Sequence, residues 1–140
     1  MTENCVFCKI IDKEIRDVNI IYEDELIIAF LSNAPINIGH TIIASKKHLN
    51  NISSIDETLA GRLLYIATRI GVAARRALDA DGYNIFSADG FCAGQDIQHT
   101  YINMIPRFID DGFRWNWRVI ETEYNKNEIT GQIKAKLKVE

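Results

Sequence analysis

Residues 97–105, with the sequence "IQHTYINMI", alternate between polar and apolar side chains, and this alternation constrains the fold more than any other stretch of the chain. His99, Tyr101 and Asn103 share one set of alternate positions, and most of the intervening side chains are apolar. Because successive side chains of a β-strand point to opposite faces, the pattern predicts a strand with one polar face, stopped by Pro106. Such a face can do chemistry, hold a metal ion or meet water.

A long amphipathic helix and several shorter strands complete the predicted fold. Apolar residues recur at helical spacing over 54–80, where Ser54 and Glu57 form a capping-box pattern and an Asp-Gly pair follows. Strands are predicted in "VNIIYEDELIIAFL", as a hairpin, and in "HTIIASKKH" and "YNIFSA". Asn125 begins a predicted short C-terminal helix. This mix indicates an α+β fold with a mainly antiparallel sheet.

The length and composition of the chain predict one globular domain. With 140 residues, 47% of them apolar, and no linker-like segment, the whole chain 1–140 fits a single core. No apolar run is long enough to cross a bilayer, so no membrane segment is predicted. The net charge of -3 gives no general attraction for nucleic acid or an anionic membrane, and neither is predicted as a partner.

The N-terminal sequence "MTENCVFCKI" bears on the compartment. It lacks the features of a secretory signal, so a cytoplasmic location with reduced cysteines is predicted. Cys92 stands alone in a Gly-containing loop and is predicted to be a small buried apolar residue.

A CxxC pair, Cys5 and Cys8, indicates metal binding, redox chemistry or chance. Two of the three histidines, His40, His48 and His99, would complete a four-ligand site of the kind that zinc prefers in structural roles. The residue pattern alone does not decide which two. The alternative is that His48 is a solvated turn residue and His99 a hydrogen-bonded core residue.

Four motifs, in this order and spacing, resemble the histidine triad (HIT) family, in the branch of the Hint hydrolases and bacterial HIT proteins. They are "CVFCKIIDKEI", "YEDELIIAFL", "NIGHTIIASKKH" and "AGQDIQHTYINMIPRF". The resemblance implies an α+β HIT-like fold with a core over 1–108 and a tail over 109–140. It also implies a homodimer that joins two sheets, with Trp115 and Trp117 near the interface, and a pocket for a purine nucleotide or another small phosphate ligand.

The resemblance also implies a ligand set for the metal. The zinc-containing members use their CxxC, the histidine that closes the "KKH" segment and the first histidine of the triad. The matching residues are Cys5, Cys8, His48 and His99. Thiolate and imidazole ligands suit zinc, and a closed four-ligand site leaves no position for a catalytic water. A structural zinc ion is therefore expected.

The catalytic motif departs from the family pattern. The middle histidine of the triad attacks the α-phosphate in the family, and the third hydrogen-bonds near the leaving group. Tyr101 and Asn103 stand at these two positions, and the surviving first histidine is His99. A phenol with an ordinary pKa near 10 is almost wholly protonated at neutral pH, so the usual turnover is expected to fail.

The resemblance places further changes in the nucleotide pocket. Ser32 replaces an aspartate that clamps the ribose hydroxyls, and Ala88 replaces an asparagine near the phosphate. His40 matches a histidine beside the catalytic group, and the loop at Gly94 could still present backbone N–H groups to an anion. The predicted nucleotide-binding residues are Phe7, Ile10, Phe30, Leu31, Ser32, Gly94, Gln95 and Ile97.

Several functions fit these residues. The first is a non-hydrolytic HIT protein that binds a small ligand or a protein partner. The second is a nucleotide hydrolase or nucleotidyl transferase with altered chemistry, in which Tyr101 is activated by His40 and assisted by Asn103. A third is an ordinary hydrolase with substitutions introduced at Tyr101 or Asn103, against which Ser32 and Ala88 argue because trapping a complex would not require them to change.

Overall fold

The computed structural model describes residues 4–114, 116 and 118–139, so Trp115 and Trp117 lie outside the described residues. The helices are α1 (Val6–Ile11), α2 (Glu57–Ala77) and α3 (Lys126–Lys136), and the strands are β1 (Ile20–Glu23), β2 (Ile27–Leu31), β3 (Thr41–Ser45), β4 (Gly82–Phe86) and β5 (Tyr101–Arg107). The strands form one antiparallel sheet in the order β1-β2-β3-β5-β4. This confirms the predicted α+β class with one long helix and a short C-terminal helix.

Helix α2 covers one face of the sheet and supplies half of the larger core. Its buried side chains, among them Leu63 and Ile66, pack against Ile43 of β3 and Ile102 and Met104 of β5. Alternate residues of each strand reach this face because the side-chain period of a strand is two. The opposite face of β5 is thereby left for Tyr101 and Asn103.

The predicted capping box of α2 is wrong. The Asp56 carboxylate, not Ser54, accepts the hydrogen bond of the Leu59 backbone N–H at 2.8 Å. Ser54 instead ends a short 3-10 turn, and its hydroxyl donates to Asn51. At the other end the helix stops three residues earlier than predicted, because Asp79 adopts a left-handed backbone conformation with φ 56°.

Helix α1 was not predicted, and it lies over the second face of the sheet. Its buried residues Phe7 and Ile10 pack with Cys8 against Phe30 of β2 and Ile42 of β3. At six residues the helix is too short to be stable on its own, so its position depends on these tertiary contacts.

Strand β5 differs from its prediction at both ends. It begins at Tyr101, and His99 lies in a bend before it. Pro106 does not stop the strand and pairs with Tyr83 of β4. The pairing with β3 ends at Met104, so Pro106 lies where β5 has a single strand neighbour and its missing N–H is tolerated.

The C-terminal helix follows its predicted start signal, since the Asn125 side chain accepts the Glu128 backbone N–H at 3.1 Å. Every described residue of α3 is exposed.

Cys92 is exposed in a 3-10 turn at Phe91–Ala93, which corrects its prediction as a buried residue. None of the helices in the described ranges is long and apolar enough to cross a membrane.

Candidate metal centre and ligand pocket

Cys5, Cys8, His48 and His99 meet where α1, the turn after β3 and the bend before β5 converge. Their ligand atoms all lie within 4.8 Å of one another, and both cysteines are free thiols. The Sγ to Nδ1 distances are 3.4 Å from Cys5 to His99, 3.2 Å from Cys8 to His48 and 3.8 Å from Cys8 to His99. The four residues selected from the sequence therefore form one cluster that could hold a metal ion.

Three sulfur–nitrogen distances in the cluster are close to those of a tetrahedral site. With metal–sulfur and metal–nitrogen bonds of about 2.3 and 2.05 Å, tetrahedral geometry puts sulfur and nitrogen about 3.6 Å apart. The observed distances of 3.2 to 3.8 Å bracket that value. The ring Nε2 of His99 donates to the Ser45 carbonyl at 2.7 Å, which leaves the Nδ1 lone pair facing the two sulfurs. A backbone carbonyl thus fixes the tautomer that a metal ligand requires.

Protonation in the cluster follows from burial. Burial raises the pKa of the Cys8 thiol to about 11, and hydrogen bonding and charge repulsion from Cys5 act in the same direction. Burial lowers the pKa of His99, and this outweighs the hydrogen bond to the Ser45 carbonyl. Without a bound cation, Cys8 is a thiol and His99 a neutral imidazole, so metal binding would release thiol protons.

A separate cavity of about 470 Å³ lies on the same face of the sheet, beside α1. Nine of the residues predicted for catalysis or nucleotide binding line it: Phe7, Ile10, Phe30, Ser32, His40, Gly94, Ile97, Tyr101 and Asn103. The walls are mostly apolar, and the polar or charged side chains among the lining residues are Ser32, Asn33, His40, Asp96, Tyr101 and Asn103. The volume is within the range of small-molecule sites.

Two predicted nucleotide-binding residues lie elsewhere. Leu31 follows Phe30 on β2, so it points to the opposite face and lines an apolar groove beside α2. The Gln95 side chain turns away to hydrogen-bond the Asn50 and Ile97 carbonyls at 2.6 and 3.0 Å and to accept the Gly90 N–H. Gln95 therefore holds the loop in shape and does not line the cavity.

Asp96 is a pocket residue that sequence reasoning missed. The Tyr101 hydroxyl donates to the Asp96 carboxylate at 2.5 Å. Burial raises the pKa of Tyr101 to about 12, and the hydrogen bond and negative charge of Asp96 act in the same direction. The only signal in the sequence was a carboxylate five residues before Tyr101 in a Gly-containing loop, and that spacing has no period that would pair the two.

His40 is fully engaged by its neighbours. Its Nδ1 accepts the Ile36 backbone N–H at 3.1 Å, so its Nε2 carries the proton and donates to Asn103 Oδ1 at 2.8 Å. Burial lowers the pKa of His40, and Arg107 acts in the same direction, while the bond to Asn103 opposes the shift. His40 is thus neutral at pH 7, and it turns the amide nitrogen of Asn103 away from itself, toward the cavity.

The lowered pKa of His40 gives a pH prediction. Between that lowered value and the ordinary 6.5, the folded protein binds fewer protons than the unfolded chain. The contribution of His40 to the free energy of unfolding is therefore complete above pH 6.5 and falls as the pH drops through this window. An NMR titration of the His40 ring should show a midpoint below 6.5, and Asn103→Leu should lower it further by removing the acceptor. A midpoint at or above 6.5 would contradict this assignment.

Solved structures of other proteins share this fold. A crystal structure of a HIT-family protein from Bacillus subtilis superposes with a TM-score of 0.87 at 31% identity, covering 98% of this chain and 99% of that one. A Zn-bound histidine triad family protein from Mycobacterium smegmatis superposes with a TM-score of 0.76 at 31% identity, covering 82% and 83%.

Sequence relatives lead to the same family. An uncharacterized HIT-like protein of Borreliella burgdorferi is 39% identical over 135 residues, 93% of this chain and 96% of the relative. The adenosine 5'-monophosphoramidase of Saccharomyces cerevisiae is 30% identical over 95% of this chain and 82% of its own length. The family model for the HIT domain matches residues 13–109. The chain belongs to the HIT domain family.

Proposed function

We propose that this chain is a HIT protein that binds a small ligand of the nucleoside or nucleotide type and lacks the nucleotide hydrolysis of its catalytic relatives. The observation that carries the proposal is the hydrogen bonding of Tyr101, which by resemblance stands where the family has its nucleophilic histidine. Its hydroxyl oxygen donates a hydrogen bond to the Asp96 Oδ1 at 2.5 Å. A neutral imidazole offers a lone pair to phosphorus, whereas a protonated phenol is a weak nucleophile.

The hydrogen bonds of His40 support the same proposal. A general base for Tyr101 needs a free lone pair within reach of the phenol. Both ring nitrogens of His40 are occupied, one by the Ile36 N–H and the other by Asn103. The altered mechanism in which His40 activates Tyr101 would first have to break one of these bonds.

We also propose that the metal in the cluster is zinc and that its role is structural. Two thiolates and two imidazoles suit zinc, and four protein ligands leave no open position for substrate or water. The Zn-bound neighbour from Mycobacterium smegmatis supports this assignment. Zinc, when bound, would link α1 to the sheet through Cys5, Cys8, His48 and His99.

A homodimer is part of the proposal. Strand β4 has β5 as its only strand neighbour in the described part of the chain, so its outer backbone edge is available to a second copy. We expect sedimentation equilibrium to give a mass of about 32 kDa, twice the 16.0 kDa of the chain. A mass of one chain at micromolar concentration would contradict the homodimer.

We further propose a single domain over 1–140 and a cytoplasmic location. The location fits the three free cysteines.

The zinc proposal predicts one zinc ion per chain by native and elemental mass spectrometry. Cys5→Ser should abolish it, while Cys92→Ser, at an exposed cysteine, is the matched control and should retain it. Removing the metal should lower the free energy of unfolding by about 2.7 kcal/mol if free zinc is at a hundred times its Kd and does not bind the unfolded chain. A metal-free protein of unchanged stability would refute the structural role.

The functional proposal predicts that adenosine 5'-phosphoramidate is not turned over. Incubation with the full-length protein should release no AMP above background and give no nucleotidyl adduct by intact mass. Tyr101→Phe should be indistinguishable from the parent chain in both assays. Turnover by the parent chain that Tyr101→Phe abolishes would contradict the proposal that the protein lacks nucleotide hydrolysis.

One observation favours the second candidate, a hydrolase or transferase with altered chemistry. Asp96 accepts the hydrogen bond of the Tyr101 hydroxyl, so it is placed to take the proton while the phenol oxygen bonds to an α-phosphate and the substituent of that phosphorus leaves with its bonding electrons. The raised pKa of Tyr101 opposes this step. The adduct mass on Tyr101, absent in Tyr101→Phe, is the result that would distinguish this enzyme from a binding protein.

A further inference from the structure

The charge content of the cavity beside α1 is unusual for a phosphate site. Among the described residues that line it, Asp96 is the only one with a charged side chain, and no lysine or arginine is among them. His40 is neutral, because its Nδ1 accepts a backbone N–H. A phosphate dianion placed near Tyr101 would face a carboxylate, and no lysine or arginine of the described lining would offset that charge.

The backbone of the loop before β5 offers little to an anion. The N–H groups of Gly94 and Gln95 donate to the Phe91 and Gly90 carbonyls at 3.0 and 3.2 Å. A loop of this kind binds anions through unpaired N–H groups, and the N–H groups of Gly94 and Gln95 are already paired within the loop.

The remaining features of the cavity suit a flat, uncharged ligand. Phe7 and Phe30, with ring centroids 5.4 Å apart, form part of an apolar wall. The Asn103 amide nitrogen has no hydrogen-bond partner within the described ranges and can donate to a ligand carbonyl or ring nitrogen. Ser32 Oγ accepts the Ala34 N–H at 3.2 Å and keeps its own proton for a ligand acceptor.

We propose that this pocket selects an uncharged planar ring compound, of the nucleoside class, over the corresponding 5'-monophosphate, and that Asp96 is the residue that excludes the phosphate. The inference rests on the proposed ligand-binding function and adds to it the chemistry of the ligand. The Asp96 carboxylate repels the phosphate, and the paired N–H groups of Gly94 and Gln95 are not available to bind it. The apolar wall and the Asn103 amide bind the ring.

Isothermal titration of the zinc-loaded full-length chain with adenosine, guanosine, AMP and GMP tests this selection. At least one nucleoside should bind about tenfold or more tightly than its monophosphate at low salt, and added salt should narrow the gap. Asp96→Asn keeps an acceptor for the Tyr101 hydroxyl and removes the charge. It should strengthen monophosphate binding about tenfold and leave nucleoside binding within about twofold.

The matched control is Asp89→Asn, which removes a charge from the same loop region outside the cavity and keeps an acceptor for Ser53. It should leave all four affinities unchanged. Monophosphate binding that equals or exceeds nucleoside binding overturns the inference but leaves the binding function intact. An unchanged ratio in Asp96→Asn, with the fold verified by its melting temperature, overturns the role of Asp96. Binding of none of the four compounds contradicts both the proposed function and this inference.

Discussion

The imidazole of His99 joins the N-terminal segment to the sheet, and the ligand pocket depends on that junction. Its Nε2 donates to the Ser45 carbonyl at 2.7 Å, and its Nδ1 faces the thiols of Cys5 and Cys8. The ring edge also contacts Phe7, with centroids 5.6 Å apart. A six-residue helix cannot persist without such contacts, so this cluster holds α1 in place as one wall of the cavity.

The metal cluster and the reactive positions are separable because they use different residues. His99 holds the cluster, and Tyr101 and Asn103 lie further along β5 with no part in it. Tyr101 still packs its ring edge-on against Phe7 at 5.2 Å between centroids, so the phenol fills its side of the cavity. The chain can therefore keep the α1 wall of the cavity, the core of the sheet and the metal cluster while the side chains at positions 101 and 103 change.

The sequence predicted the faces of the sheet well and the local irregularities poorly. Period-two alternation assigned Tyr101 and Asn103 to one face, and helical spacing located α2, because both follow from chain geometry alone. The same rule, applied to β2, would have excluded Leu31 from the pocket beside Phe30. Asp96 could not be found in this way, since a loop has no period and its contact with Tyr101 depends on tertiary placement. Helix α1 is too short to leave a periodic signal.

Two hydrogen-bonded pairs in the pocket act on its reactivity together. The Tyr101 hydroxyl donates its proton to a hydrogen bond with Asp96, and His40, the only imidazole among the described lining residues, donates to Asn103. Restoring a nucleophile at Tyr101 alone would leave the Asp96 carboxylate beside the incoming phosphate. An imidazole at that position would meet the same carboxylate, which would raise its pKa and lower the fraction present as the neutral nucleophile. Neutralising Asp96 as well as replacing Tyr101 should therefore favour the recovery of phosphorus chemistry more than replacing Tyr101 alone.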